Sequence, residues 1–384
     1  MMNWRDLSKD ERIAALQNVA GIKHIPPQAV EKDLWVTTIL QIVFSLPFAD
    51  SLIFKGGTSL SKVFGKIERF SEDIDLAIDR TYFGLEGDLT KKQLKKLRKL
   101  SSTFVRDTFL QELQKAFAQH GLMELSAIAQ PDGEGDSTYP EPRQIFIEYP
   151  SLFRESLDYI KPRVMLEIGS RSLIEPTTVT HVQSLIEQIF QDVNTALVNP
   201  PIATAVIEKT FLEKVFLLHE LFTTNAGWHA NRKSRHLYDL EKMMDEPFAE
   251  PTIHNDALWA SISHHRQVFT SMRDVDYTPD IRKRIVLVPP TEFMKEWKDD
   301  YEAMRGTMVF GSSLSFEELI KRLHELEGLF HNCNNRKIYG TYTTISDHKQ
   351  NGKENFSSTI CHYDRSHAIG RTDEWSYVPS FHDN

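Results

Sequence analysis

Apolar and polar positions follow two different periods along the chain. After Pro26-Pro27, residues Val30, Leu34, Ile39, Leu40 and Val43 recur at helical spacing, which predicts an amphipathic helix running to Ser45. Residues 51–54 then read as a short strand and residues 58–68 as a short helix broken near Gly65. Asp73 to Ile78 alternates polar and apolar with period two, the mark of a half-buried strand. Helical spacing returns over residues 90–119 and ends near Gly121. Residues 122–129, 143–149 and 163–169 read as three further strands, separated by a Gly/Asp/Pro-rich loop at 131–142 and a linker at 159–162. From Glu175 onward helical periodicity dominates, and Phe211, Val215, Leu218 and Phe222 form one stripe.

This pattern predicts an α+β fold, with a mixed domain over residues 1–175 and a helical domain over 176–330. Residues 331–384 are rich in Asn, Ser, Thr, His and Asp, and are expected to form a poorly ordered polar tail without its own core. The full chain of 384 residues, 40% apolar and 26% charged, can bury a sizeable core. No run approaches the roughly 18 apolar residues of a membrane span, and the opening residues lack a signal-peptide core, so a cytoplasmic protein without membrane contact is expected. Two cysteines, Cys333 and Cys361, make no disulfide framework. With His331, His362 and His367 they show no regular zinc spacing, and zinc is discounted. The net charge of −9 excludes a wholly basic nucleic-acid coat, yet Lys91, Lys92, Lys95, Lys96, Arg98 and Lys99 form a local basic patch. That patch is either a solvated helix face or a contact for acceptor phosphates.

Chemistry concentrates in residues 54–76, FKGGTSLSKVFGKIERFSEDIDL. The spacing fails as a Walker loop, as a dinucleotide fingerprint and as an EF-hand. What remains is a strand, the turn Gly56-Gly57-Thr58-Ser59, a short helix, and a second strand with Asp73 and Asp75 on one face. Two such carboxylates repel unless a cation lies between them, and oxygen-only ligands suit Mg²⁺ in phosphoryl transfer. The turn's backbone amides and hydroxyls could then bind phosphates. The bland alternative is a pair of exposed acids near a strand end.

This stretch resembles the DNA polymerase β-like nucleotidyltransferase superfamily, and within it the AbiEii/AbiGii toxin family. The blocks EKDLWV at 31–36, residues 54–76, LEIGSR at 166–171, TFLEKVFLLH at 210–219 and SRHLYDL at 234–240 stand in that family's order. The resemblance implies a minimal nucleotidyltransferase core, a small mixed sheet flanked by helices, with a helical C-terminal domain and the active site between them. It implies Asp73, Asp75 and Glu167 as metal ligands for Mg²⁺, and Gly56, Gly57, Thr58 and Ser59 as phosphate binders. Lys214 would neutralise the triphosphate and Asp239 would orient Lys214 or the nucleotide. Asp33 also matches a family position, where its role could be structural. The implied reaction moves a nucleoside monophosphate from an NTP to a hydroxyl of RNA, such as tRNA, or of a protein. The implied setting is a bacterial toxin–antitoxin or phage-defence system with a cognate antitoxin.

From the residues alone, Glu167 could be a solvent-facing strand residue, Lys214 a snorkelling lysine with no acid at helical spacing, and Arg235–Asp239 a helix salt bridge. Lys209 reads as paired with Glu213. Two rival functions stay open: a nucleotide-sugar glycosyltransferase, which explains Asp-x-Asp but not the glycine turn, and a degenerate NTP- or RNA-binding module.

Overall fold

The computed structural model describes residues 2–333 apart from 72, 136–137, 154–159 and 225–229, together with 343–344 and 359–360. The chain divides into two compact units, Met1–Cys333 and Asn334–Asn384. In the second unit the described residues form one antiparallel pair, Thr343–Thr344 with Thr359–Ile360. Cys361, His362 and His367 lie outside the described residues, whereas Cys333 is buried in the first unit.

The first unit is α+β. It opens with strand β1 (Met2–Asn3), helix α1 (Lys9–Lys23) and helix α2 (Pro27–Val43). Ser8 and Glu11 close a capping box on α1, and Pro27 starts α2 where a missing amide costs nothing. Strand β2 (Leu52–Lys55) leads directly into α3 (Gly56–Lys62), followed by β3 (Asp73–Ile78). The long helical pattern is interrupted: α4 (Lys91–Phe104) passes through a π-helical turn at Val105–Phe109 into α5 (Leu110–Gln119). Strands β4 (Ser126–Ala129), β5 (Arg143–Glu148) and β6 (Arg163–Gly169) follow as expected.

The sheet does not stop at residue 175. Beyond it come β7 (Thr177–Thr180), the short helix α6 (Leu185–Ile189), β8 (Val193–Asn194) and β9 (Ile202–Ala205). The seven-stranded sheet has the order β4-β5-β6-β3-β2-β9-β7, while β1 and β8 pair separately. Strands β7 and β9 escaped the sequence pattern because Thr and Ala residues give four-residue strands little alternation to read. Helical structure takes over at α7 (Ile207–Thr223), followed by α8 (Arg235–Met244), α9 (Ala249–Ile253), α10 (Asp256–Phe269), α11 (Met294–Thr307) and α12 (Phe316–His331). The stripe Phe211, Val215, Leu218 and Phe222 lies at the centre of this helical core. Among the described residues no helix is long and apolar enough to cross a membrane.

Period-two alternation splits the sheet into unlike faces. Phe54, Ile74, Leu76, Leu166, Ile168, Ile145 and Ile147 point to one side and pack on Ile39, Val43, Phe109 and Leu113 of the α2 and α5 layers. Lys55, Asp73, Asp75, Glu167 and Gln144 therefore share the other side, where each is only half-buried.

Candidate active site

The strand register brings the acids together. Lys55 stands opposite Asp75, Asp75 opposite Glu167, and Glu167 opposite Gln144, so four polar side chains cross four adjacent strands in one row. Asp73 lies on the same face two residues earlier. Burial and the charge of Asp75 raise the proton affinity of Glu167 above that of an ordinary glutamate, against the pull of Lys55, Gln144 and Arg235. Beside Glu167 a cleft of 320 Å³ opens, lined also by Lys55, Glu141, Arg171, Phe269 and Thr270.

The glycine turn exists so that this row can sit beside it. Gly56 has φ +80°, a conformation L side chains rarely adopt, and a Cβ there would overlap the Asp75 carboxylate. A Cβ on Gly57 would come within 2.8 Å of Arg69 Nη2 and 2.9 Å of Ser71 Oγ. Thr58 and Ser59 are placed differently from the expectation of hydroxyls facing phosphate. Both are buried: Thr58 Oγ1 donates to the Asp73 carbonyl at 2.5 Å, and Ser59 Oγ donates to the Gly56 carbonyl at 2.8 Å. The Thr58 hydroxyl thus braces the turn against β3, and the Ser59 hydroxyl closes the turn on itself.

Across the turn lies a buried charge cluster that the sequence pattern did not reveal. Asp239 on α8 is fully enclosed and accepts two hydrogen bonds from Arg69, Nε to Oδ1 at 2.6 Å and Nη2 to Oδ2 at 2.7 Å. The same carboxylate pairs with Lys214 of α7 at 2.8 Å. Asp239 thus bonds Arg69 and Lys214 rather than Arg235 one turn away. Lys214 is not a snorkelling surface lysine, since its side chain is only 8% exposed and its Nζ lies 3.3 Å from His236 Nδ1. Burial alone would raise the pKa of Asp239, but the two cations hold it well below the usual carboxylate range. Burial pushes Lys214 below the usual lysine range; Asp239 opposes this and Arg69 assists it. Burial, with the Lys214 and Arg235 cations, likewise keeps His236 neutral. Burial is thus the leading cause for Lys214 and His236, whereas the net depression of Asp239 comes from the two cations it bonds. Arg69 and Lys214 thus place two cations beside the glycine turn.

Arg69 reaches this position because its loop is stitched to the end of α11. Phe70 N donates to the Met308 carbonyl at 2.7 Å, and Phe310 N to the Glu68 carbonyl at 3.0 Å. The arginine was visible in the sequence four residues before Asp73, but its partner lies 170 positions away.

Other expected residues fall into structural roles. Asp33 pairs with Lys62 of α3 and accepts from Leu185 N at 2.7 Å, tying α2, α3 and α6 together. Lys209 is not an exposed partner of Glu213. It is fully buried and donates to the carbonyls of Leu173 and Ile174 beyond β6. In the basic patch, Arg98 donates to the Tyr139 carbonyl at 2.5 Å, while Lys91, Lys92, Lys95, Lys96 and Lys99 are exposed.

Metal fit can be judged from the donors. Among the described residues no three acidic, histidine or cysteine side chains already form a cation cage. Mg²⁺ needs none, because it keeps several waters and is held by one or two carboxylates plus substrate phosphates. Asp73 and Asp75, oxygen donors on one strand face beside a glycine turn, fit that description.

Comparison with known families gives one match. The family model described as nucleotidyl transferase AbiEii toxin, type IV TA system, covers residues 39–322. No curated protein matches the chain.

Proposed function

The chain belongs to the AbiEii nucleotidyltransferase family of type IV toxin–antitoxin systems, and from that premise we propose that it transfers a nucleoside monophosphate from an NTP to a hydroxyl acceptor. The family implies a nucleotide substrate and an antitoxin partner. In our reading the acceptor is an RNA such as tRNA, or a protein, and the reaction takes place in the cytoplasm. The observation that carries the proposal is the pairing of unlike charge across the glycine turn, with the Asp73, Asp75 and Glu167 face on one side and the Arg69–Asp239–Lys214 cluster on the other.

Roles follow from placement. Asp73 and Asp75 would hold Mg²⁺, which when bound neutralises charge on the transferring phosphoryl group. Glu167, with its raised proton affinity, takes the proton of the acceptor hydroxyl at its carboxylate. The positive charges of Lys214 and Arg69 draw the triphosphate towards the turn, where Gly56 and Gly57 let the backbone approach it. Asp239 keeps the two cations in place.

The test is to incubate the purified protein with each α-labelled NTP, Mg²⁺ and either total RNA or total protein, beside its Asp75→Asn variant. Label should enter one acceptor class with wild type and not with Asp75→Asn. Transfer from a sugar nucleotide, or NTP binding with no transfer to any acceptor, would refute the proposal.

A further inference from the structure

The polar row has a neighbour on the same sheet face. Asp73 stands opposite Met165, Met165 opposite Phe146, and Phe146 opposite Ile128, so a second row crosses β3, β6, β5 and β4. Its last three members are apolar. On the covered face the adjoining residues Leu166, Ile145 and Ile147 are fully enclosed, yet Ile128 is 63% exposed and Met165 and Phe146 are half-buried. An apolar row on the open face breaks the polar-out alternation expected of a one-sided sheet. Among the described residues, none of the three joins a hydrophobic core cluster. The exposed Arg163 belongs to the next row, opposite Glu148, and its guanidinium lies over the Phe146 ring, 5.0 Å from the centroid.

We infer that Met165, Phe146 and Ile128 form a stacking platform for a single-stranded stretch of a polynucleotide acceptor. The inference rests on the transfer reading above for its direction, because the row begins at Asp73 and is continuous with the carboxylates. From Met165 to Ile128 it crosses two strand spacings, roughly 10 Å, which is room for one or two nucleotides before the chain reaches Asp73. Bases have flat faces that stack on an aromatic ring, or on a guanidinium plane such as that of Arg163 over Phe146, whatever the sequence. A peptide suits this surface less well. Peptides join sheets through main-chain hydrogen bonds at an exposed edge, which here is β4 at the far end of the row; a peptide there would run beside Ile128, whereas β5, β6 and β3 are paired on both sides and present side chains alone.

The experiment uses the full chain without NTP and a fluorescent eight-nucleotide single-stranded RNA of mixed sequence, read by anisotropy, with Phe146→Leu and Phe146→Trp. Leucine keeps apolar bulk and the fold but removes the ring. Phe146→Leu should weaken binding by about five- to tenfold, in the range of losing one base–aromatic stack, and Phe146→Trp should restore it. In turnover the acceptor KM should rise with Phe146→Leu while the KM for NTP stays fixed. Equal RNA binding by wild type and Phe146→Leu would overturn the platform, as would a rise in the NTP KM alone or a Phe146-dependent protein acceptor. Transfer that persists with Phe146-independent binding removes only the platform. Phe146-dependent binding with no transfer at all removes only the reaction.

Discussion

Replacing Asp239 tests whether the buried cluster is a charge reservoir for an anion or an ordinary structural ion pair. In the wild type one carboxylate serves Arg69 (2% exposed side chain) and Lys214 (8%) at once. Asp239→Asn removes the carboxylate that the two buried cations share, and breaking a buried pair in this way costs about 3–5 kcal/mol. Lys214→Met is a different perturbation. Asp239 keeps its two bonds from Arg69, the cost of burying the lysine charge disappears, and a methionine fills the space, so a loss of only about 0–1.5 kcal/mol is expected. The double variant removes Asp239 and Lys214 together, and because the two are in contact it should lose less than the sum of the singles, with a coupling of about 1–2 kcal/mol.

Urea unfolding at pH 7 with linear extrapolation resolves these differences, provided the m-values agree. Activity should rank the other way. Lys214→Met, nearly as stable as wild type, should lose at least about a hundredfold in kcat/KM for the NTP, because a charge aimed at the phosphates is worth several kcal/mol in the transition state. Equal destabilisation by Lys214→Met and Asp239→Asn, or full activity in Lys214→Met, would refute the reasoning and make the cluster a structural clamp.

Three further outcomes are expected. Lys209→Ala, far from behaving as a neutral surface change, should lose about 2–4 kcal/mol in urea unfolding, because it empties a buried site and strips the donor from the Leu173 and Ile174 carbonyls. Neutralising Lys92, Lys95 and Lys99 on the exposed face of α4 should weaken RNA binding and make the slope of log K against log salt shallower by about 2, and an unchanged slope would return the patch to a solvated face. Burial and the Arg80, Lys209 and Arg266 cations hold His265 at about 3. The unfolded chain therefore binds this proton first, so stability is untouched above about pH 6.5 and falls as the pH drops towards 3. His265→Phe, which keeps the stacking on Phe269, should flatten that acid slope by about 2–3 kcal/mol at pH 4.

How far the sequence reached depends on how local each signal is. The carboxylate face was legible because period two is a property of six consecutive residues, and Asp73 and Asp75 could fall on the open face only if Ile74 and Leu76 were buried. Placing Glu167 beside Asp75 needed the register of two strands 92 residues apart, which the family blocks supplied and alternation alone did not. The glycine turn was legible as a turn but not in its workings: Thr58 and Ser59 look like phosphate ligands from their hydroxyls, and only the structure shows Thr58 bonded to the Asp73 carbonyl of β3 and Ser59 to the Gly56 carbonyl of its own turn. The lysines failed for the same reason. On one helix Lys209 appeared paired and Lys214 unpaired, yet Lys209 is held by two carbonyls beyond β6 and Lys214 by a carboxylate on the next helix. A pairing rule read at helical spacing sees only a helix's own surface, worth a few tenths of a kcal/mol there, whereas burial raises the cost of an unmatched charge to several. The strongest electrostatic partners in this protein must therefore come from distant segments, because the residues that most need them are the ones the fold encloses. Arg69 and Asp239, 170 positions apart, meet where the β3 loop is sewn to the end of α11, and that seam ties the helical half to the loop that precedes the carboxylate strand.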